Sequence, residues 1–179
     1  MRRSRLSVSF VSLALTVLGM SSTARALDKT SFDLVPKNAA CLPNATGTVT
    51  VFHKEDVQGV DTLHLRASGL PSNTDFAVFL TEADAFATPP FGAVEYIGDF
   101  TTNAAGVGSL KVDAIIMEAF ALSAARVRTN LDHLVFWFAD PAQVPACFGN
   151  FTPGPFDGDG NSGPAAMSSQ GATGLEELP

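Results

Sequence analysis

The sequence predicts an all-β chain, an antiparallel β-sandwich of six or seven short strands, on three observations. Runs of β-branched and aromatic residues recur at regular spacing. Several of them alternate apolar and polar positions with a period of two. Gly, Pro and Asn punctuate the gaps between them. A barrel is the rival arrangement of the same strands.

Each element follows from its residues. Phe32–Val35 adds an edge strand. Thr48–His53 carries the β-branched enrichment of a strand, and Asp61–Ala67 places Leu63, Leu65 and Ala67 on one face. Gln58-Gly59 between them supplies a tight turn. Gly69-Leu-Pro-Ser-Asn73 breaks the pattern, which resumes at Thr74–Thr81 with Phe76, Val78 and Leu80 aligned. The loop from Glu82 to Gly92 is long and contains Pro89-Pro90. Val94–Thr102 is the next strand, and Asn103-Ala-Ala-Gly106 turns the chain so that Val107–Asp113 pairs back on it. Residues 114–126 have the Ala and Met content of a short helix, one or two turns long. Leu131–Phe138 is apolar on both faces toward its end, as a central strand covered on both sides requires. Asp140-Pro141 stops it.

The amino terminus reads Met-Arg-Arg-Ser-Arg, then a 15-residue apolar run from Leu6 to Met20, then Ser-Ser-Thr-Ala-Arg-Ala. This is the layout of a signal peptide cleaved after Ala26; the run is too short for a membrane span. The Arg2-Arg3 pair is followed by a poor twin-arginine context, which favours the general secretory route. The expected organisation is a signal peptide over 1–26, a β-sandwich domain over 27–151, and a flexible Gly/Pro/Ser-rich tail over 152–179. No Cys for lipid attachment ends the apolar run, and no apolar tail closes the chain, so a secreted protein without a membrane anchor is expected. Loss of Arg2, Arg3, Arg5 and Arg25 takes the formal charge from −7 to −11. Seven scattered basic residues on such a polyanion offer no stripe for nucleic acid. Cys41 and Cys147, the only cysteines, are expected to form one disulfide in an exported chain.

The succession Leu63-x-Leu65, Gly69-Leu-Pro, Phe76-x-Val78-x-Leu80, Gly98-x-Phe100-Thr-Thr and Gly106 resembles Ig-like β-domains of exported bacterial proteins. These include the extracytoplasmic portion of anti-sigma-K-type regulators. The resemblance spans residues 46–138 and implies an Ig-like sandwich. The regulators carry a cytoplasmic segment and a membrane helix that this sequence lacks, so their signalling role does not carry over. Asp140-Pro and Phe156-Asp-Gly-Asp-Gly are closer to uncharacterised secreted actinobacterial-type proteins, a likeness that implies no activity.

Four groups of residues are candidates for a site. Asp157, Asp159 and Asn161 place oxygen donors at alternate positions, as the start of a calcium loop does. Ser162 and Ser168 stand where an EF-hand needs Gly and Glu, so the alternative is a polar linker. His53 and His64 face each other if Gln58-Gly59 is a two-residue turn, and with Glu55 would supply three Zn or Cu ligands; the alternative is two solvated histidines. His133 follows Asp132, and with Ser68, Ser109 or Ser123 a hydrolytic triad is formally available. No Gly-x-Ser-x-Gly elbow accompanies it, and no residue is assigned a catalytic role. Phe86 and Phe91 put apolar rings on the long loop, either as a contact patch or as a cap folded onto the sandwich. One Trp and one Tyr leave little material for stacking on sugars. Asn44 and Asn150 begin glycosylation sequons that count only in a host that glycosylates.

The favoured function is a secreted non-catalytic module that contacts an unidentified protein or cell-surface partner. A calcium, zinc or copper protein is the alternative, and a hydrolase around His133 the third. No cofactor is expected apart from calcium at the Asp157 loop.

Overall fold

A computed structural model describes residues 29–53, 60–122, 125–153, 162–173 and 175. The expected leader, the Gln58-Gly59 turn and Asp157, Asp159 and Asn161 lie outside the described residues.

The described residues are almost entirely antiparallel β, as the pattern predicts, with two short 3-10 turns. The strands are β1 Lys29–Pro36, β2 Thr46–Phe52, β3 Asp61–Ser68, β4 Asp75–Thr81, β5 Val94–Thr101, β6 Gly108–Ala114, β7 Phe120–Leu122, β8 Arg128–Asn130, β9 His133–Phe138 and β10 Ala165–Ser169. Eight of them form one sheet in the order β5-β4-β9-β10-β1-β2-β3-β6, and β7-β8 form a separate hairpin. The large sheet rolls over on itself. Inner residues of β1 to β3 (Leu34, Val49, Val51, Leu63, Leu65) share one core with Phe76, Val78 and Leu80 of β4 and Leu134, Phe136 and Phe138 of β9. The edge strands β5 and β6 meet where the roll nearly closes. There the Phe100 ring is buried over Gly108, whose added Cβ would lie 2.5 Å from it. No ladder joins β5 to β6 among the described residues; packing makes the seam.

Alternation explains the two halves differently. In β2 the odd positions Val49 and Val51 point in while Thr46, Thr48 and Thr50 point out. The outer face of this half is hydroxyl-rich, with Thr48 donating to Asp33 at 3.0 Å and Ser31 to Thr50 at 3.0 Å. In β4, β9 and β10 nearly every residue is buried, because a second apolar layer covers their outer side. Ala77, Phe79, Val135, Trp137 and Ala165 form that layer with Ala85 from the long loop. The inner core is aromatic at its centre. Phe76 lies 5.2 Å from Phe100, 5.2 Å from Phe136 and 5.1 Å from Phe138, separations at which ring pairs add to simple burial.

The disulfide between Cys41 and Cys147 is present, with Cα atoms 5.6 Å apart. It ties the turn after β1 to a short 3-10 turn at Ala146–Phe148.

Four expectations are corrected. No helix forms among the described residues of 114–126: Ile116 and Met117 lie in a turn held by Asp61, and Phe120–Leu122 is strand. Cross-strand pairing with β8 overrides the helical preference of the Ala-rich stretch. The flexible tail over 152–179 is corrected at Ala165–Ser169, which is a wholly buried strand between β9 and β1. Its small residues fit because the flanking strands supply the bulk. β6 pairs with β3 and not with β5, although the Asn103–Gly106 turn forms as read, Gly106 N–H donating to Asn103 C=O at 2.9 Å. The strand around Phe32–Val35 is interior to the sheet and not an edge.

Candidate interaction surface

Asp61 sets the end of the molecule that carries the surface. It is 6% exposed, and its Oδ2 accepts the N–H groups of Ile116 at 3.1 Å and Met117 at 2.9 Å. His53 Nδ1 lies 3.5 Å from the other carboxylate oxygen. This clamp pulls Ile116 and Met117 into the core and leaves Ile115 turned outward, 57% exposed. Alanine at Asp61 removes the acceptor for two backbone donors, and stability is expected to fall by about 2 to 3 kcal/mol. Asn, which keeps one acceptor oxygen, should lose less; urea denaturation of both variants checks the order.

The chain then enters the β7–β8 hairpin, with Phe120 opposite Asn130, Ala121 opposite Thr129 and Leu122 opposite Arg128. Leu131 N–H donates to Ala119 C=O at 3.0 Å and fixes its root. Alternation sends Phe120 and Leu122 to the outer face, and Leu122 and Val127 are 60% and 61% exposed. The Arg128 guanidinium sits 4.5 Å from the Phe120 ring centroid. Beside the root, Glu95, Ile115, Glu118, Ala119, Phe120 and Leu131 line a hollow of about 200 Å³. Ile115, Phe120, Leu122 and Val127 thus give one end of the fold an exposed apolar patch. Scattered exposed apolar residues are ordinary, but here two of the four, Ile115 and Phe120, border the same hollow, and Leu122 lies two residues along the strand from Phe120. The sequence reading missed this surface. Its only signal was that Phe120 and Leu122 alternate beside Arg126 and Arg128.

The loop read as a contact segment is built inward. The Phe91 ring lies 4.9 Å from Trp137, and Phe91 adopts a left-handed φ of 68°, followed by Gly92 at 60°. Phe86 keeps 37% exposure, with the Lys37 ammonium 4.5 Å from its ring centroid. Lys37 also donates to Ala85 C=O, Ala85 N–H to Ser168 Oγ at 3.0 Å, and Ala93 N–H to the Glu82 carboxylate at 2.9 Å. Of the two readings of this loop, Phe91 takes that of a cap.

The histidine pair is not assembled. The β2–β3 register places Thr50, not His53, opposite His64. His64 lies on the outer face, its ring 5.1 Å from Phe52, while His53 turns to Asp61. The register differs by three residues from the one that would pair them, and an odd shift puts the imidazoles on opposite faces. Among the described residues no group of three or more His, Cys, Asp or Glu side chains is placed to hold a metal ion. The serine beside His133 is Ser169, with Nδ1 to Oγ 3.2 Å, and not Ser68 or Ser109. Ser169 is 1% exposed and also accepts the Leu134 N–H at 3.2 Å, so the pair is set in the wall of the fold. Ser68 bonds Thr46 on the hydroxyl face at 2.9 Å. No helix among the described residues is long and apolar enough to cross a membrane.

The chain matches no known family model, and no curated protein matches it significantly.

Proposed function

We propose that the protein is a secreted, non-catalytic β-module that makes extracellular or cell-surface contacts through its hairpin end. The observation that carries this reading is the exposed apolar patch of Ile115, Phe120, Leu122 and Val127. It lies on and just before the β7–β8 hairpin, next to the turn that Asp61 holds through the Ile116 and Met117 N–H groups. A rigid scaffold lowers the entropy lost when such a surface docks. Export is supported by the leader-like first 26 residues and by a disulfide, a bond that persists in oxidising compartments. The resemblance to exported Ig-like domains agrees with this reading.

The test is retention of labelled protein on cells of the source organism. Leu122→Asp and Val127→Asp change exposed positions and are expected to shift stability by less than about 0.5 kcal/mol. Retention is expected to fall roughly tenfold or more if these side chains lie at the centre of the contact. Unchanged retention in both variants would overturn the hairpin as the contact surface.

A further inference from the structure

The hollow beside the hairpin root combines an apolar lining with two acids that no basic group pairs among the described residues. Ile115, Ala119, Phe120 and Leu131 form its apolar part, and Leu131 is 1% exposed. Glu95 from β5 and Glu118 from the turn before β7 complete it, both exposed. Neither carboxylate takes part in an ion pair or a hydrogen bond among the described residues. Arg128 is close by but engaged elsewhere. Its guanidinium lies over the Phe120 ring, and its Nε donates to the Asn130 side chain at 3.3 Å. The volume of the hollow, about 200 Å³, is below the roughly 300 Å³ at which small-molecule sites begin, and it suits a single side chain.

Resting on the reading of the hairpin end as a contact surface, we infer that this hollow receives a lysine side chain of a protein partner. An apolar side chain would fill the space but strip water from two carboxylates and return nothing to them. A lysine serves both parts of the lining. Its methylene stem lies along Ile115, Phe120 and Leu131, while the ammonium at the end of the stem meets Glu95 and Glu118. Arginine is the poorer match. Its planar fork gains most from gripping one carboxylate with two parallel bonds or from stacking on an aromatic ring, and the Phe120 ring already carries Arg128. The two glutamates stand on different elements, which suits a compact ammonium whose donors point in separate directions. The chain's formal charge of −7 favours encounter with a basic partner.

The test is a nuclear magnetic resonance titration of the full chain with an end-capped Gly-Lys-Gly peptide, read at the methyl groups of Ile115 and Leu131. These signals are expected to move saturably, with a millimolar dissociation constant that rises with salt because both ion pairs are exposed. The same peptide acetylated on its lysine keeps the methylenes and loses the charge, and is expected to bind roughly fivefold or more weakly. E95Q/E118Q changes exposed positions and keeps their shape, so it should melt like the wild type and bind the two peptides alike. Leu122→Asp should not weaken the binding, since Leu122 does not line the hollow. No movement with the lysine peptide, or equal affinity of the wild type for the two peptides, would overturn the inference without recourse to any variant. Cell retention then separates the two readings. If retention still falls in Leu122→Asp, the hairpin end remains a contact surface for a partner of another chemistry. If it does not, both readings fall together.

Discussion

Replacing Cys41 and Cys147 together with serine is expected to lower the unfolding free energy by about 4 to 5 kcal/mol, on the chain-entropy account of cross-links. The two sulfurs join residues separated by 106 positions, so the bond restricts most of the unfolded chain. The native end of the molecule has contacts of its own. Phe148 sits 5.2 Å from Phe138, and Gln143 both accepts the Asp75 N–H at 2.7 Å and donates to the Asp75 carboxylate at 3.1 Å. The folded form should therefore keep its shape while the unfolded form gains freedom. Two readouts separate these states. The denaturant midpoint should drop, and the denaturant dependence of the free energy should steepen because the uncrosslinked chain exposes more surface. A loss below about 1 kcal/mol with an unchanged slope would mean that the unfolded chain is compact without the bond. Reduction of the wild type under native conditions should reproduce the serine variant, which checks that the loss comes from the link and not from the hydroxyls.

What the sequence disclosed of this fold depends on which side chains do the packing. β2, β3, β4 and β9 were legible because they carry their own bulk: Val49 and Val51, Leu63 and Leu65, the Phe76 to Leu80 series and the Phe136 to Phe138 run are all buried where the pattern places them. β10 was not legible, because Ala-Ala-Met-Ser-Ser is buried by its neighbours. Ala165 stands opposite Trp137 and Met167 opposite Phe136, so the large groups that bury it belong to β9. Pairing was also hidden. The Asn103–Gly106 turn is written locally, but whether the strand beyond it bonds to β5 or β3 depends on how the whole sheet rolls. The same limit applied to the site. Phe86, Phe91, Phe120 and Leu122 are all apolar residues near turns, and only the path of the backbone decides which lie against Trp137 and which face water. The histidine pair failed on register alone, since the residues between His53 and Asp61 determine which side chains align.

Trp137→Ala is expected to cost about 3 to 5 kcal/mol, the range for emptying a buried aromatic site. Trp137 is 2% exposed on the outer side of β9, with Phe79 edge-on at 4.9 Å and Phe91 at 4.9 Å. It is the post on which the long loop rests. The left-handed φ of Phe91 is a sparsely populated conformation for a bulky residue, and such conformations persist where surroundings over-determine them. Here the surroundings are the Trp137 ring on one side and the Ala85–Ser168 and Glu82–Ala93 hydrogen bonds on the other. Removing the indole leaves the loop its polar ties but no apolar surface to cover, so protease cleavage within residues 86–91 should accelerate along with the loss of stability. Trp137→Phe keeps a ring between Phe79 and Phe91 and should lose less than about half as much. Far-UV circular dichroism must follow both variants, since Trp137 is the chain's only tryptophan. That same fact makes the wild-type indole a reporter: Phe91→Ala should shift its emission to longer wavelength as water reaches the ring. An unshifted spectrum together with a Trp137→Ala loss below about 1.5 kcal/mol would show that the loop stands without the ring, well short of the usual aromatic truncation.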